Sequence, residues 1–176
     1  LNVVPYEHPQ LNTWRSNFKG ITYFHKPTNM IVSGAVDDIW KDQKTGQLCI
    51  VDYKSTSKKD DPEIESGWGY TYKRQMEVYQ WLFRKNCFNV SNTGYFLYVN
   101  GIKGDNTFYD NCDNDNHGFM KFKTTLIPYN GNSSWVDSTL VQIKDTLLSE
   151  TLPKPNNKYD LNTYYLQRSR IEAEIG

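Results

Sequence analysis

The sequence predicts one α/β domain built around a mixed β-sheet. β-rich and amphipathic stretches follow one another in the order strand, strand, strand, helix, strand, strand, helix. The clearest helical stretch sits between strands rather than in a helical run. At 176 residues, 38% hydrophobic and 23% charged, the chain has the size and composition of one ordinary domain with its own core.

Residues 1–20 carry Pro5 and Pro9 among mixed polar residues and read as irregular chain with one short helix. Residues 21–25 form a short β-rich stretch, and residues 30–40 (MIVSGAVDDIW) read as a strand. Residues 41–46 (KDQKTG) make a turn, with Gly46 able to take positive φ. Residues 47–54 (QLCIVDYK) return as a second strand, so the two make a hairpin. Residues 55–69 are a polar loop with Pro62, Gly67 and Gly69. Residues 70–86 carry Tyr72, Gln75, Met76, Tyr79, Leu82 and Phe83 at helical spacing. Lys73, Arg74, Glu77, Arg84 and Lys85 fall off that stripe. Residues 93–99 and 118–127 read as strands, separated by a polar insertion at 100–116. Residues 134–149 read as a helix and 153–165 as a Pro- and Asn-rich tail.

Composition excludes several classes of function. The 20 Lys and Arg balance the 20 Asp and Glu, which excludes a histone-like binder acting through a broad basic face. A nucleic-acid enzyme whose acidic site offsets its basic residues remains open. Cys49, Cys87 and Cys112 are odd in number and widely spaced, which supports neither a disulfide framework nor a zinc knuckle. No apolar run approaches the roughly 20 residues of a membrane helix, and no basic-then-apolar leader opens the chain, so a reducing, cytoplasmic setting is expected. Neither a phosphate-binding G-x-x-x-x-G-K-[ST] loop nor a G-x-S-x-G elbow occurs.

The hairpin carries the chemistry. Asp52 and Lys54 are two apart on a strand and share a face, while Cys49, Val51 and Tyr53 point the other way, toward a core. A turn centred between Lys44 and Thr45 sets Asp37 opposite Asp52; one centred between Thr45 and Gly46 sets it opposite Lys54. Either register leaves Asp37 on the face of Asp52 and Lys54. Facing carboxylates repel, and a hard divalent cation held by oxygen ligands resolves the repulsion. Lys54 beside it would stabilise an anionic transition state or help deprotonate a water on the metal. An isolated D-x-K marks only a salt pair; the combination carries the signal. Most of Asp38, Asp42, Asp60 and Asp61 read as solvated loop charges.

The string Gly34-Ala-Val-Asp37, then Asp52-Tyr-Lys54, then Gln75-Met-Glu-Val-Tyr79 resembles the PD-(D/E)XK nuclease superfamily, most closely its RecB-like branch. That branch has the pattern G-x-x-D, a strand ending in D-x-K, and a helix bearing Q-x-x-x-Y. The resemblance covers roughly residues 21–127 as a catalytic core, with a C-terminal helix and tail over 128–176. It implies a restriction-endonuclease-like core, a mixed central β-sheet flanked by helices. It implies Asp37, Asp52 and the backbone carbonyl of Tyr53 as ligands of Mg2+ or Mn2+, with Lys54 assisting the attacking water. Gln75 and Tyr79 would brace the site and touch DNA, Lys73 and Arg74 would add phosphate contacts, and Gly34 would permit a close approach.

The chain departs from the family at two points. A His or Glu on an upstream helix usually completes the site; only 36 residues precede Asp37, and Glu7, His8 and His25 fit that role poorly. Many RecB-like members close with cysteines that hold an iron–sulfur cluster. Here Tyr159 and Asn162 stand at C-x-x-C spacing, so no cluster is expected. The function implied is metal-dependent hydrolysis of DNA phosphodiesters by a metal-activated water. The alternative is a nuclease-like domain that no longer cuts and serves as a DNA-binding or protein-interaction module. A glycosidase pair does not suit the adjacent Lys and the Gln/Tyr helix. A helicase or other repair or defence partner is not identified by any motif.

Overall fold

In chain order the elements are β1 (Val3–Pro5), α1 (Leu11–Trp14), β2 (Ile21–His25), β3 (Met30–Gly34), β4 (Asp38–Asp42), β5 (Leu48–Thr56) and α2 (Gly69–Lys85). They continue with β6 (Thr93–Gly101), β7 (Phe108–Tyr109), β8 (Phe119–Met120), β9 (Phe122–Asn130), a 3-10 turn (Ser133–Trp135), α3 (Val136–Leu148) and α4 (Asp160–Ile175). The computed structural model describes residues 1–65, 67, 69–102, 108–109, 119–151, 153 and 160–175. These fall into two units, Leu1–Asp137 and Ser138–Gly176. Trp68, Cys112 and Tyr159 lie outside the described residues, as does most of the 100–116 insertion.

The first unit is built on a five-stranded sheet in the order β1-β4-β5-β6-β9. Only β5 and β6 run parallel; every other neighbouring pair is antiparallel. The expected α/β class with a mixed central sheet is therefore found. The connection between β5 and β6 contains α2, as a parallel crossover requires. β5 is buried on both faces along Leu48–Asp52, the pattern of a central strand. On one face Cys49 and Val51 pack with Tyr95 and Trp40. On the other, α2 lies close to β6, where a Cβ added to Gly94 would come within 2.4 Å of Met76.

The β4–β5 hairpin follows from its turn chemistry. Asp42 accepts the backbone N–H groups of Lys44 and Thr45 at 2.8 Å each, and Gly46 takes φ +71°. Those two N–H groups hold the Asp42 carboxyl below its ordinary pKa. The register is Asp38 opposite Val51 and Trp40 opposite Cys49. α2 ends in a left-handed residue, Cys87 at φ +67°, with the Phe88 N–H returning to the Phe83 carbonyl and the Cys87 N–H to that of Arg84.

The structure corrects four expectations. Residues 30–40 are not one strand: β3 pairs with β2 in a separate two-stranded sheet, and the chain breaks over 35–37 before β4 begins. Residues 3–5 are not irregular but pair with β4 as an edge strand. Residues 160–165 are not an irregular tail but the first turns of α4. Tyr53 does not enter a core; it is 44% exposed because β5 runs past the start of β4. Among the described residues, no helix is long and apolar enough to cross a membrane.

Candidate active site

The β4–β5 register, continued one residue beyond Asp38, places Asp37 across from Asp52. This is the first of the two registers open from the sequence. Asp37 sits in the bend before β4 and its Oδ2 accepts the Tyr53 backbone N–H at 2.7 Å. That bond stands where a strand partner would have continued. The N–H and C=O of one strand residue face the same edge, so the Tyr53 carbonyl shares that edge with Asp37.

Asp52 is 4% exposed. Its Oδ2 is buried and pairs with the Lys54 ammonium 2.6 Å away. Burial pushes the Asp52 pKa up; Lys54 pulls it down and Asp37 adds to the rise. Lys54 Nζ also donates to Gln75 Oε1 at 3.3 Å and lies 4.3 Å from the centre of the Tyr72 ring. Gln75 Nε2 in turn donates to the Tyr79 hydroxyl at 2.8 Å. Burial raises the Tyr79 pKa, and the Asp52 and Asp37 charges raise it further. The structure thus brings Asp37, Asp52, Lys54, Gln75 and Tyr79 together. Gly34 has its close approach: a Cβ there would come within 2.7 Å of the Tyr79 ring.

Asp38 is a correction. It is not a solvated charge but buried. Its carboxylate pairs with Arg15, accepts the Ile39 N–H at 2.8 Å, and accepts the Tyr53 hydroxyl at 2.5 Å. Burial and the Asp38 carboxylate push the Tyr53 phenol up to about 12. Asp38 and Arg15 bind the N-terminal segment to the strands of the site. Arg15 is 23 positions from Asp38, and no sequence spacing marks the pair.

Lys73 and Arg74 are not assembled with these residues. At 100° per residue they project from another face of α2. Lys73 pairs with Glu65 at 2.7 Å, and Arg74 donates to the Tyr70 hydroxyl and lies 3.9 Å from the Trp135 ring centre. The upstream candidates are also engaged elsewhere. His8 stacks on Trp14 with ring centres 4.4 Å apart and accepts the Gln10 N–H, while Glu7 is exposed. His25 lies 2.7 Å from the Thr28 hydroxyl and 3.3 Å from Asp137.

The family model of the PD-(D/E)XK nuclease superfamily matches residues 4–150. The chain belongs to this superfamily. No curated protein and no solved structure matches it. Asp37, Asp52, Lys54, Gln75 and Tyr79 all fall inside the span matched to the PD-(D/E)XK superfamily. Its nucleases usually use divalent metals. Among the described residues no group of three or more His, Cys, Asp or Glu is gathered for a metal. The donors that do fit are oxygens: the buried Asp52 carboxylate, the Asp37 carboxylate and the Tyr53 carbonyl edge. Two carboxylates and one ammonium leave one net negative charge, which suits a hard cation with water completing its shell.

Proposed function

We propose that this PD-(D/E)XK protein is a nuclease of the RecB-like branch that hydrolyses DNA phosphodiesters with Mg2+ or Mn2+. One observation carries the reading: a buried carboxylate, Asp52, lies opposite a second one, Asp37, in the strand register, with the Lys54 ammonium 2.6 Å from its Oδ2. Burial and Asp37 raise the Asp52 pKa although Lys54 lowers it, so the lysine offsets only part of the cost of the buried charge. The Gln75–Tyr79 pair bonded to Lys54 supports the RecB-like assignment.

Asp37, Asp52 and the Tyr53 carbonyl would hold the cation. When bound, it supplies Lewis acidity toward the phosphate and lowers the pKa of an attacking water. Lys54 sets a preorganised positive charge where the phosphorane oxygens gain charge. Gln75 holds the Lys54 ammonium with one amide end and Tyr79 with the other, so the lysine is aimed before substrate arrives. Asp37 fixes the Tyr53 backbone and with it the spacing of the two carboxylates.

The test is incubation of linear duplex and single-stranded DNA with Mg2+, with Mn2+, or with EDTA. Cleavage with metal and none in EDTA is expected, and Asp52→Asn should remove it. Cleavage by Asp52→Asn at the wild-type rate would overturn the assignment. Intact DNA under all conditions would leave the non-cutting module as the reading.

A further inference from the structure

Consecutive residues of an extended chain point to opposite faces of a sheet. Asp37 and Asp38 divide in this way at the start of β4. The register turns Asp37 toward Asp52, and Asp38, opposite Val51, toward the face that carries Tyr53. Yet both carboxylates close on one residue. Asp37 Oδ2 accepts the Tyr53 backbone N–H at 2.7 Å, and Asp38 Oδ2 accepts the Tyr53 hydroxyl at 2.5 Å. At Tyr53 the strand β5 has no β4 partner, because that pairing ends at Asp38 and Val51. Two side chains stand in for the missing strand. Residues 35–37 lie outside the strands, so sheet pairing does not fix Asp37 either.

The arrangement is rooted in the core. Asp38 is buried, and the Tyr53 hydroxyl, the Ile39 N–H and the Arg15 guanidinium all meet its carboxylate. Arg15 follows Trp14, whose carbonyl accepts the Val36 N–H at 3.1 Å. Trp14 is buried and meets Phe83 of α2 edge-on, with ring centres 5.0 Å apart. The two neighbours of Asp37 are therefore tied to one segment, Val36 through the Trp14 carbonyl and Asp38 through Arg15. Stability alone does not call for this. A packed apolar residue opposite Val51 would serve the sheet as well as a buried ion pair, or better. The Tyr53 ring is exposed, so water would satisfy its hydroxyl. What the bonds supply is a fixed place for the Asp37 carboxylate and for the Tyr53 peptide.

We propose that Arg15, Asp38 and the Tyr53 hydroxyl are positioning residues of the candidate cation site, and that by holding Asp37 and the Tyr53 carbonyl in place they set its affinity for a divalent cation. They act through those two residues and not as ligands. Arg15 also offsets the Asp38 charge, so a third carboxylate beside Asp37 and Asp52 adds no net charge. Removing a partner that orients a metal ligand costs roughly 10- to 100-fold in metal affinity. The proposal rests on the assignment of Asp37, Asp52 and the Tyr53 carbonyl to a cation, and its test separates the two.

The test titrates Mn2+ into the full chain without DNA and reads free Mn2+ by electron paramagnetic resonance. Tyr53→Phe loses one oxygen from an exposed ring and keeps the backbone bond to Asp37. Its Mn2+ dissociation constant should rise about tenfold. Asp38→Ala should cost at least as much, and the double variant should add nothing to it, because both changes break the same bond. Tyr129→Phe is the control for a merely structural role. It takes a hydroxyl from another buried carboxylate, Glu77, and should bind Mn2+ as wild type does. Asp52→Asn should lose the site. Circular dichroism on each sample shows that it is folded, and the decision rests on Tyr53→Phe, the mildest change. If Tyr53→Phe binds as tightly as wild type while Asp52→Asn does not, the positioning role is overturned and the cation site stands. An equal weakening in Tyr129→Phe also overturns it, since any lost hydroxyl would then act alike. If Asp52→Asn binds as tightly as wild type, the cation site falls and the proposal falls with it.

Discussion

Two carboxylates are buried close to α2, and the protein treats them in opposite ways. Glu77, 8% exposed, accepts three hydrogen bonds: from the Tyr129 hydroxyl at 2.6 Å, the Asn132 N–H at 3.0 Å and the Trp135 indole at 2.6 Å. Asp52, 4% exposed, has the Lys54 ammonium 2.6 Å from its Oδ2 and faces a second carboxylate. The first charge is solvated by the protein and acts as a structural joint between α2 and the segment after β9. The second rests on the Lys54 ammonium, and burial and Asp37 still raise its pKa, which suits a site that takes a cation. Burial of a charged group alone does not distinguish structure from function; the completeness of its partners does.

The largest effect expected of the contrast is on rate. Lys54→Ala removes the ammonium that pairs with Asp52. Cleavage should fall on the order of 100- to 1000-fold, the usual loss for a preorganised charge stabiliser. Circular dichroism and single-turnover cleavage on the same sample separate this from misfolding. A variant that cuts at the wild-type rate removes Lys54 from the chemistry.

Cation binding comes next. A cation at 100 times its dissociation constant stabilises the fold by about 2.7 kcal/mol, or roughly 5–10 °C in Tm for a chain of this size. Mg2+ or Mn2+ should produce that shift in wild type and in Glu77→Gln. In Asp52→Asn it should be small. An equal shift in all three proteins places the cation elsewhere.

The amide substitution itself sharpens the comparison at Glu77. Glu77→Gln sets an NH2 donor against the Trp135 indole or the Tyr129 hydroxyl. The indole has no acceptor to offer in return. An unmet buried donor costs roughly 1–3 kcal/mol. Denaturant melts should show that loss, while cleavage per folded molecule stays at the wild-type level. A fall in cleavage without loss of stability would move Glu77 into the chemistry.

How much of this contrast the sequence held differs between the two carboxylates. The Asp52 site was legible because its parts are local. A short turn limits the β4–β5 register to two choices that both leave Asp37 on the same face, period two sets the D-x-K face, and one helical turn joins Gln75 to Tyr79. Glu77 was not legible. It falls off the apolar stripe of its helix, and its three partners stand 52 to 58 residues further on. The same reason hid Asp38, whose partner Arg15 belongs to a segment with no periodic pattern. β1 was missed because a three-residue strand is too short to show alternation. The break in residues 30–40 was masked by a nearly continuous β-rich run. Gly34, which admits the Tyr79 ring, was its only local mark. α4 was hidden by the Pro- and Asn-rich stretch that leads into it.

The smallest effect carries the opposite sign from Glu77→Gln, and that sign is the sharpest test. Burial and Asp37 raise the Asp52 pKa above its ordinary value near 3.8. Between those two values the native state binds more protons than the unfolded chain. Stability without metal therefore falls as pH climbs through that window, and the loss is complete above the raised value. Asn approximates the protonated carboxyl and does not titrate. Asp52→Asn should thus be more stable than the metal-free wild type at neutral pH, and the gap should narrow as pH falls toward 4. Thermal melts in EDTA across pH 4 to 8 measure it directly. If Asp52→Asn is instead less stable at pH 7, the Lys54 ion pair outweighs burial and repulsion. Asp52 would then be a satisfied structural charge like Glu77, and the contrast between the two carboxylates would collapse.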